Sequence, residues 1–513
     1  MPPRRGAGVR RRPSGANDRR RTKGFRQPRG LPHAAVYSDT VEVIERVRAG
    51  MPLQRAVALV GGAQRRSGAH RVTVLRLARR TLRRWWAIQW QLDRAASKLL
   101  GASEHAPALG RLALALQLIR EGEGPHGDEI LLRQDVLRVL QHANSLHPTN
   151  PSHQEHFQLS VPPWALEALR SDPEVHAVPA LAAQWLQASF AEAPLTIRVN
   201  LLKGDRATLL QQLEKRGHVP LGSRAPKEED PDEADAEVGG DPVGPGWSPH
   251  PRPHPWCDTA LILERGPAHL LPEFAAGWFE PQDAASQLAV ALLDPRPGER
   301  VLDLCAGTGG KTLAIAAAMR NRGTLLAFCP DDQQRMRLRQ RAARAGVSCH
   351  RILENGKQVK RLKGTIDRVL VDAPCTGLGV IARHPEVLLA APPGTAFHQR
   401  QVELLERGAR TLAPGGSLVY CTCTRNATEN EQVVDALLAT DSTMGLQPPP
   451  DLFPVDLLRA YGGDGGSGPI FAVGEGAFSM NGFWAARLTK VQQEPLHGEG
   501  EPDTEALPDR PEG

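Results

Sequence analysis

The sequence predicts a multidomain protein with an all-helical amino-terminal domain, a small α/β module and a doubly wound α/β domain built on a mostly parallel sheet. Three observations predict it. Between about residues 36 and 190 apolar side chains recur at the helical period. From about 276 to 490 short apolar strands alternate with helices. A chain of 513 residues also exceeds what one ordinary core accommodates.

Residues 1–30 hold ten Arg and one Lys against one Asp, with Gly and Pro interspersed. Such a segment buries no core and is expected to be disordered, either attracting phosphate backbones by counterion release or serving as a solvated tail. Residues 31–190 form the helical domain. In "RVTVLRLARRTLRRWWAIQWQLDRAASKLL" the apolar positions Leu75, Ala78, Leu82, Trp85, Trp86 and Leu92 follow one face. Arg76, Arg79, Arg80, Arg83 and Arg84 gather opposite, as a solvated face or an RNA contact.

The small module spans 191–275. "PLTIRVN" alternates as a half-buried strand, "DRATLLQQLEKRG" reads as a helix closed by Gly217, and "ALILE" (260–264) is a second strand. Between them an acidic and then Pro/Gly-rich stretch, 223–258, is expected to be a disordered insertion. The α/β domain covers 276–490, with strands "RVLDLCA", "TLLAFC", "DRVLVDAPC" and "GSLVYCTC". Each ends in or beside a cysteine, so several thiols are expected on the one rim where such sheets bind ligands. Residues 491–513, with seven acids and Arg510, are expected to be a disordered tail.

Seven cysteines without regular spacing, and no apolar leader before them, predict reduced thiols in a cytoplasmic protein. No apolar run reaches the ~18 residues a membrane helix needs. A soluble protein without membrane attachment is expected.

"VLDLCAGTGGKT" (301–312) is a strand, a glycine turn and a helix start. A nucleotide P-loop needs glycine where Cys305 stands, and a dinucleotide fingerprint from Gly307 needs glycine where Thr312 stands. An adenosylmethionine loop and a purely structural turn remain. "DRVLVDAPCTGLGVIARHPEV" (367–387) sets Asp372 and Cys375 just past a strand, with Pro374 fixing the turn and an exposed basic segment, Arg383 and His384, following. "SLVYCTCT" supplies Cys421 and Cys423 at an equivalent strand end. The pair reads as a metal clip, as core, or as a nucleophile. Its C-x-C spacing is unlike zinc-finger spacing, and Cys421, Cys305 and Cys349 read best as packing.

Five ordered motifs resemble the Nol1/Nop2/Sun RNA cytosine-5 methyltransferases: "GWFEPQDAASQ" (277–287), "LDLCAGTGGKT", "DAPCTGLGVIARHPE", "YCTCTRNATENE" and "NGFWAARL" (481–488). The likeness runs from about 36 to 490 and is strongest to the bacterial small-subunit rRNA branch whose helical amino-terminal domain is NusB-like. It implies a Rossmann-like methyltransferase domain, an RNA-guiding small module and S-adenosyl-L-methionine as cofactor. By the same resemblance Cys423 is the nucleophile that adds to C6 of cytosine. Asp372 holds or protonates the N3 edge, and Cys375 assists loss of the C5 proton and release of Cys423.

The cofactor positions implied are Cys305, Ala306, Gly307, Thr308, Gly309, Gly310, Lys311, Asp331, Asn355 and Asp372, with no metal. RNA, from the small subunit in the first instance, is the implied partner of a monomer. Four positions depart from the family pattern. Gly307 and Thr308 stand for Ala-Pro, which is expected to loosen the loop. Cys329 stands where a ribose carboxylate is expected, with Asp331 and Asp332 just after it. Asn355 stands for an adenine-side Asp and is expected to pair with the adenine amino group through its amide oxygen. Asn481 stands for the acid before Gly-Phe. An RNA-binding or ribosome-assembly protein with weakened methyl transfer is the alternative function.

Overall fold

The computed structural model describes residues 34–99, 109–121, 134–191, 193–216, 219–220, 246–247, 249–263, 268–451, 453–459, 470–474, 476 and 479–491. Segments 1–30 and 492–513, residues 223–245 of the expected insertion, and Gly217 lie outside these residues. Helices come first: α1 (Ala34–Arg48), α2 (Leu53–Ala63), α3 (Gly68–Arg83), α4 (Trp85–Leu99), α5 (Leu109–Arg120), α6 (Gln134–Ser145), α7 (Pro151–Leu159), α8 (Pro163–Arg170), α9 (Pro173–Ala177) and α10 (Ala180–Ala188). A small sheet follows, made of β1 (Leu195–Val199), β4 (Arg252–Pro253), β5 (Ala260–Leu263) and β6 (Phe279–Pro281). Helix α11 (Arg206–Arg216) and the paired β2 (Val219–Pro220) and β3 (Gly246–Trp247) lie between β1 and β4 in sequence.

Helices α1 to α6 enclose one core, in which Ile44, Leu53, Leu82, Ile88 and Leu114 are fully buried. Helices α7 to α10 build a second core from Leu166, Leu169, Val175 and Leu186, completed by Leu378, Ile381 and Leu388 from far along the chain. The 3-10 turn Pro385–Leu389 packs between α1 and α3 on the other side. The basic stripe of α3 and α4 is therefore not the solvated face its spacing suggests. None of its five arginines is exposed, and Arg83 donates to the carbonyls of Phe190, at 3.1 Å, and Ala382. Arg80 pairs with Glu121, its Nε 3.0 Å from Oε1. Carbonyl and carboxylate acceptors satisfy guanidinium groups without water, so the stripe turns inward and forms a joint.

Strand β1 is likewise buried along its whole length rather than on alternate residues. Leu195, Ile197 and Val199 pack on α11 through Leu209 and Leu213. On the other face Arg198 reaches Gln282 Oε1 at 2.8 Å and the Gly310 carbonyl at 2.7 Å, so a buried charge covers what alternation assigns to solvent. The expected insertion also ends early. Residues 252–253 pair with β5, and His254 and Cys257 are buried, their carbonyls taking bonds from Arg206 at 3.3 and 3.1 Å. Pro253 is tolerated because β4 is an edge strand.

The large sheet carries β7 (Arg300–Asp303), β8 (Thr324–Phe328), β9 (His350–Leu353), β10 (Ile366–Asp372), β11 (Leu412–Thr422), β12 (Met444–Leu446), β13 (Leu458–Arg459), β14 (Ile470–Val473) and β15 (Phe483–Lys490). Helices α12 (Pro272–Ala275), α13 (Ala284–Leu293), α14 (Gly310–Ala318), α15 (Asp332–Ala345), α16 (Gly356–Lys360), α17 (Ala396–Thr411) and α18 (Glu431–Thr440) intervene. Strand order is β13-β14-β15-β11-β10-β7-β8-β9, with β12 also on β15. Strands β9 to β11 pair in parallel along this order, while β15, β14 and β13 run antiparallel, giving the Rossmann-like sheet the alternation predicts. After β7 the chain moves outward to β8 and β9 and returns to β10 on the opposite side of β7. That reversal opens a crevice at the carboxyl ends of β7 and β10, where ligands bind in such sheets. Fully buried Tyr420, Phe471, Phe483 and Trp484 brace the β11-β15-β14 side.

Glu280 of β6 joins the two sheets' surroundings. Its carboxylate, 2% exposed, accepts from Arg341 at 3.1 Å and Arg344 at 2.8 Å, both on α15. Burial pushes this carboxyl upward, but Arg341, Arg344 and Arg198 outweigh it and hold the group below its ordinary value. Glu280→Gln is expected to lower unfolding free energy in urea at pH 7 by about 3–5 kcal/mol, because three cations lose their anion. A depressed carboxylate stabilises the fold above its unfolded pKa and loses that contribution as pH falls through the folded one. The gap between wild type and variant should accordingly close in the acid range.

Candidate active site

Parallel pairing of β10 with β11 sets Asp372 opposite Cys421, and both strands then end. Just beyond them Cys375 and Cys423 face each other with their sulfurs 3.3 Å apart, both half-buried. The bond between the thiols decides which one ionises. It holds Cys423 below the ordinary thiol value against burial and the Asp372 charge, with Lys311 and His384 assisting. The same bond, together with burial, drives Cys375 well above it. The pair is thus biased towards ionisation at Cys423 rather than Cys375, and a thiolate is the nucleophilic form of cysteine.

Lys311, in the first turn of α14, places Nζ 2.7 Å from Asp372 Oδ2 and 5.5 Å from the centre of the Phe483 ring. Burial disfavours its charge, but Asp372 outweighs burial and keeps the ammonium protonated above its usual range. Cys421 is fully buried, as expected of a packing cysteine, with Sγ 3.5 Å from Asp372 Oδ1. The structure therefore brings Cys423, Cys375, Asp372 and Lys311 together. Among the described residues no group of three or more His, Cys, Asp and Glu is arranged to hold a metal ion.

The loops bearing the two thiols are stapled by Glu429, a residue to which sequence reasoning assigned no role. Its carboxylate, 3% exposed, accepts from Thr376 N at 3.0 Å, Thr376 Oγ1 at 2.5 Å, Gln401 Nε2 at 2.8 Å and Asn426 Nδ2 at 2.7 Å. A buried carboxylate with this many donors needs no counter-cation. The acid in "ATENE", two residues ahead of an apolar helix, was its only signal. Gly379 N also donates to the Cys423 carbonyl at 3.0 Å. A Cβ on Gly379 would stand 2.0 Å from the Gly482 carbonyl, so the loop lies flush against the start of β15.

Arg383 is held rather than exposed. Its guanidinium donates to Asn481 Oδ1 at 3.0 Å and the Pro194 carbonyl at 3.0 Å, and sits 3.4 Å from Asp283. Asp283, the N-cap of α13 in the "FEPQDAASQ" motif, also accepts from Asn481 N at 3.2 Å. With Asn481 as an amide, Arg383 meets one carboxylate there instead of two.

The glycine loop fits a nucleoside-bearing cofactor. Gly307 and Gly309 have φ of 51° and 95°, in the left-handed region, and a Cβ on Gly307 would meet nothing within 4 Å. That open space is where a ligand approaches backbone. Thr308 does not leave the loop loose: Arg341 donates to its carbonyl at 3.2 Å and its hydroxyl at 2.8 Å. Ala306 is buried against Leu338 and Cys329, while Cys305 packs beside the core on the opposite face of the sheet. Asp303 is buried beneath, taking bonds from Thr312 Oγ1 at 2.7 Å and Cys305 N at 3.4 Å, and burial pushes its carboxyl up to about 6.

Cys329 lies under the loop, its Sγ 3.4 Å from the Gly307 carbonyl. Asp331 is exposed at the end of β8 and caps α15, accepting from Gln334 N at 2.8 Å. Asn355 is exposed too, and its amide oxygen accepts from Gln358 N at 3.2 Å in a capping box. The oxygen expected to meet adenine is therefore already engaged in starting α16.

Comparison with known proteins places this geometry. The model of the family described as 16S rRNA methyltransferase RsmB/F matches residues 290–488. Ribosomal RNA small subunit methyltransferase B of Vibrio cholerae is 32% identical over 338 residues, covering 64% of this chain and 65% of its own length. The human 28S rRNA (cytosine(4447)-C(5))-methyltransferase is 34% identical over 264 residues, 50% of this chain and 29% of its own. The chain thus spans less than two thirds of either relative. The crystal structure of PH0851 shares the fold, with a TM-score of 0.68 at 22% identity over 90% of this chain and 99% of that one.

The thiol pair makes a prediction that needs no substrate. In Cys375→Ala, the pH at which iodoacetamide alkylates Cys423, located by peptide mass spectrometry, should rise, because the bond that most lowers its pKa is gone. An unchanged midpoint would mean that Cys375 does not set the charge state of Cys423.

Proposed function

We propose, from the match of residues 290–488 to the RsmB/F family of rRNA methyltransferases, that the chain is an enzyme of the Nol1/Nop2/Sun group that methylates C5 of a cytosine in small-subunit rRNA, using S-adenosyl-L-methionine. The observation that carries the reading is Cys423 facing Cys375 beside the Lys311–Asp372 pair, at the sheet's crevice. When bound, the cofactor supplies an electrophilic methyl group on a sulfonium centre. The residues from Cys305 to Lys311 and Asp372 hold it, with exposed Asp331 the nearby acid for its ribose.

Cytosine C5 is a weak nucleophile. The Cys423 thiolate forms a bond to C6, which makes C5 electron-rich, and the Asp372–Lys311 pair faces the N3 edge where negative charge develops. Once C5 carries the methyl group, Cys375 takes the proton from C5, the C–H electron pair re-forms the C5–C6 double bond, and the C6–sulfur bond breaks to return the Cys423 thiolate. A protonated Cys375 has first to give its proton to solvent before it can accept this one. The target base has to leave its stack to reach the rim.

Residues 31–190 serve as a NusB-like RNA-binding domain, 191–275 as the RNA-guiding module and 276–490 as the catalytic domain of a cytoplasmic monomer. No helix among the described residues is long and apolar enough to cross a membrane. A second reading, an RNA-binding assembly factor with weakened catalysis, draws on Cys329 at the ribose position and on Asn355 committed to its capping box.

Two assays separate these readings. With small-subunit rRNA and labelled cofactor, wild type should yield 5-methylcytidine on nuclease digestion. Cys423→Ala should yield none, and Cys375→Ala should accumulate a covalent RNA–protein adduct visible on a denaturing gel. Titration calorimetry should show micromolar cofactor binding to wild type. Absence of heat with the folded protein would favour the assembly factor.

A further inference from the structure

Arg425 has no part in the chemistry above, yet it stands two residues after Cys423 and is 3% exposed. Its Nε donates to Asp172 Oδ2 at 2.8 Å, and its Nη2 to Asp172 Oδ1 and Glu174 Oε2 at 3.0 Å each. Its guanidinium carbon lies 4.7 Å from the centre of the Trp185 ring. Asp172, Glu174 and Trp185 all belong to the helical region. Asp172 is itself 1% exposed and also caps α9, accepting from Glu174 N at 3.0 Å and Val175 N at 3.3 Å. One position beyond Asn426, Ala427 N donates to Ser171 Oγ at 3.1 Å.

The nucleophile's loop is thus anchored to the turn between α8 and α9, about 250 residues earlier in sequence. Loop 376–390, which follows Cys375, is gripped by the same region: Arg83 binds the Ala382 carbonyl, and Leu53 N donates to Glu386 Oε1 at 3.2 Å. A bidentate ion pair fixes direction as well as distance. A buried ion pair is weak evidence of a purely stabilising role, since apolar packing does that as well. Fixing geometry is the use that remains.

We propose that Arg425 is a positioning residue for Cys423, and that its ion pair with Asp172 makes the alignment of the two thiols depend on docking of the helical region. The proposal rests on the methyltransferase reading for its activity assay, but not for its thiol assay. When the pair is cut, loop 423–430 loses its tether to α9 while Glu429, Lys311 and the glycine loop keep their own bonds. With Glu429 still joining the two loops, the Cys423 end of its loop can turn about that staple, so the sulfurs lose their alignment while the glycine loop keeps its contacts.

The test uses the full chain carrying Asp172→Asn, Arg425→Lys or Arg425→Met, with thermal melts to choose a temperature at which each is folded. Asp172→Asn keeps an oxygen for the α9 cap, so it serves if the Arg425 variants do not fold. Expected for Asp172→Asn and Arg425→Met are a kcat lower by about 10- to 100-fold, with KM for RNA within about threefold of wild type. Arg425→Lys should recover part of the rate. The pH midpoint of Cys423 alkylation should rise in step with the loss of kcat. Wild-type kcat and midpoint in folded Asp172→Asn would overturn the proposal, as would a loss confined to KM. If wild type itself transfers no methyl group, the functional reading fails while the alkylation midpoint still decides the positioning role.

Discussion

The site depends on one constraint, the parallel register that sets Asp372 of β10 beside Cys421 of β11. Adjacent parallel strands release their chains from the same edge, a strand spacing of ~4.8 Å apart. Two loops leaving so close together need something to fix their separation, and here a buried carboxylate, Glu429, does so from within one loop by binding the other. The result is electrostatic as much as geometric. Two identical thiols at contact distance become unequal chiefly through the bond between them, with Glu429 adding negative charge on the Cys375 side and Lys311 partly offsetting Asp372 on the Cys423 side.

The cofactor side shows how a sequence departs from a pattern and keeps its geometry. A proline fixes a turn through its ring; Thr308 is fixed instead by two bonds from Arg341, which is in turn held by Glu280. Arg198 of β1 adds a bond to the Gly310 carbonyl. The small sheet is thereby part of the loop's support, and the "FEP" of the motif before α13 contributes to it through that ion pair. Removing a conformational restraint costs little where side-chain bonds in a dry setting replace it.

Much of this was legible in the sequence where a local rule governs. Apolar strands ending in cysteine or aspartate, punctuated by glycine turns, give the sheet, its crevice and the grouping of Asp372, Cys375 and Cys423. What periodicity could not show is burial imposed by distant segments. Arg83 sits on the polar side of a helix yet is buried, because the carbonyls of Phe190 and Ala382 approach it. Thr196 and Arg198 alternate with apolar residues in β1 yet are buried, Arg198 against the carbonyl of Gly310. Arg383 reads as a free cation until Asp283 and Asn481 come from either side of it in space. Asn355 reads as a ligand contact, and its three-residue spacing to Gln358 is also a helix-start signal, which the capping box bears out. Arg425 and Asp172 pair across more of the chain than any spacing rule reaches.

The core shared by α7 to α10 with Leu378, Ile381 and Leu388 sets an order of events during synthesis. Helices near the amino end emerge first, with the apolar faces of Leu166, Leu169 and Leu186 uncovered. Their partners follow roughly 200 residues later, a wait of about 10 to 40 s at ordinary translation rates. Strand β11 waits in its turn for β15, whose residues 483–490 supply its second neighbour. Until then it presents an open edge in the middle of the future sheet. A nascent chain of this kind keeps apolar faces and an open strand edge uncovered over much of its synthesis, and Cys375 and Cys423 meet only late in that period.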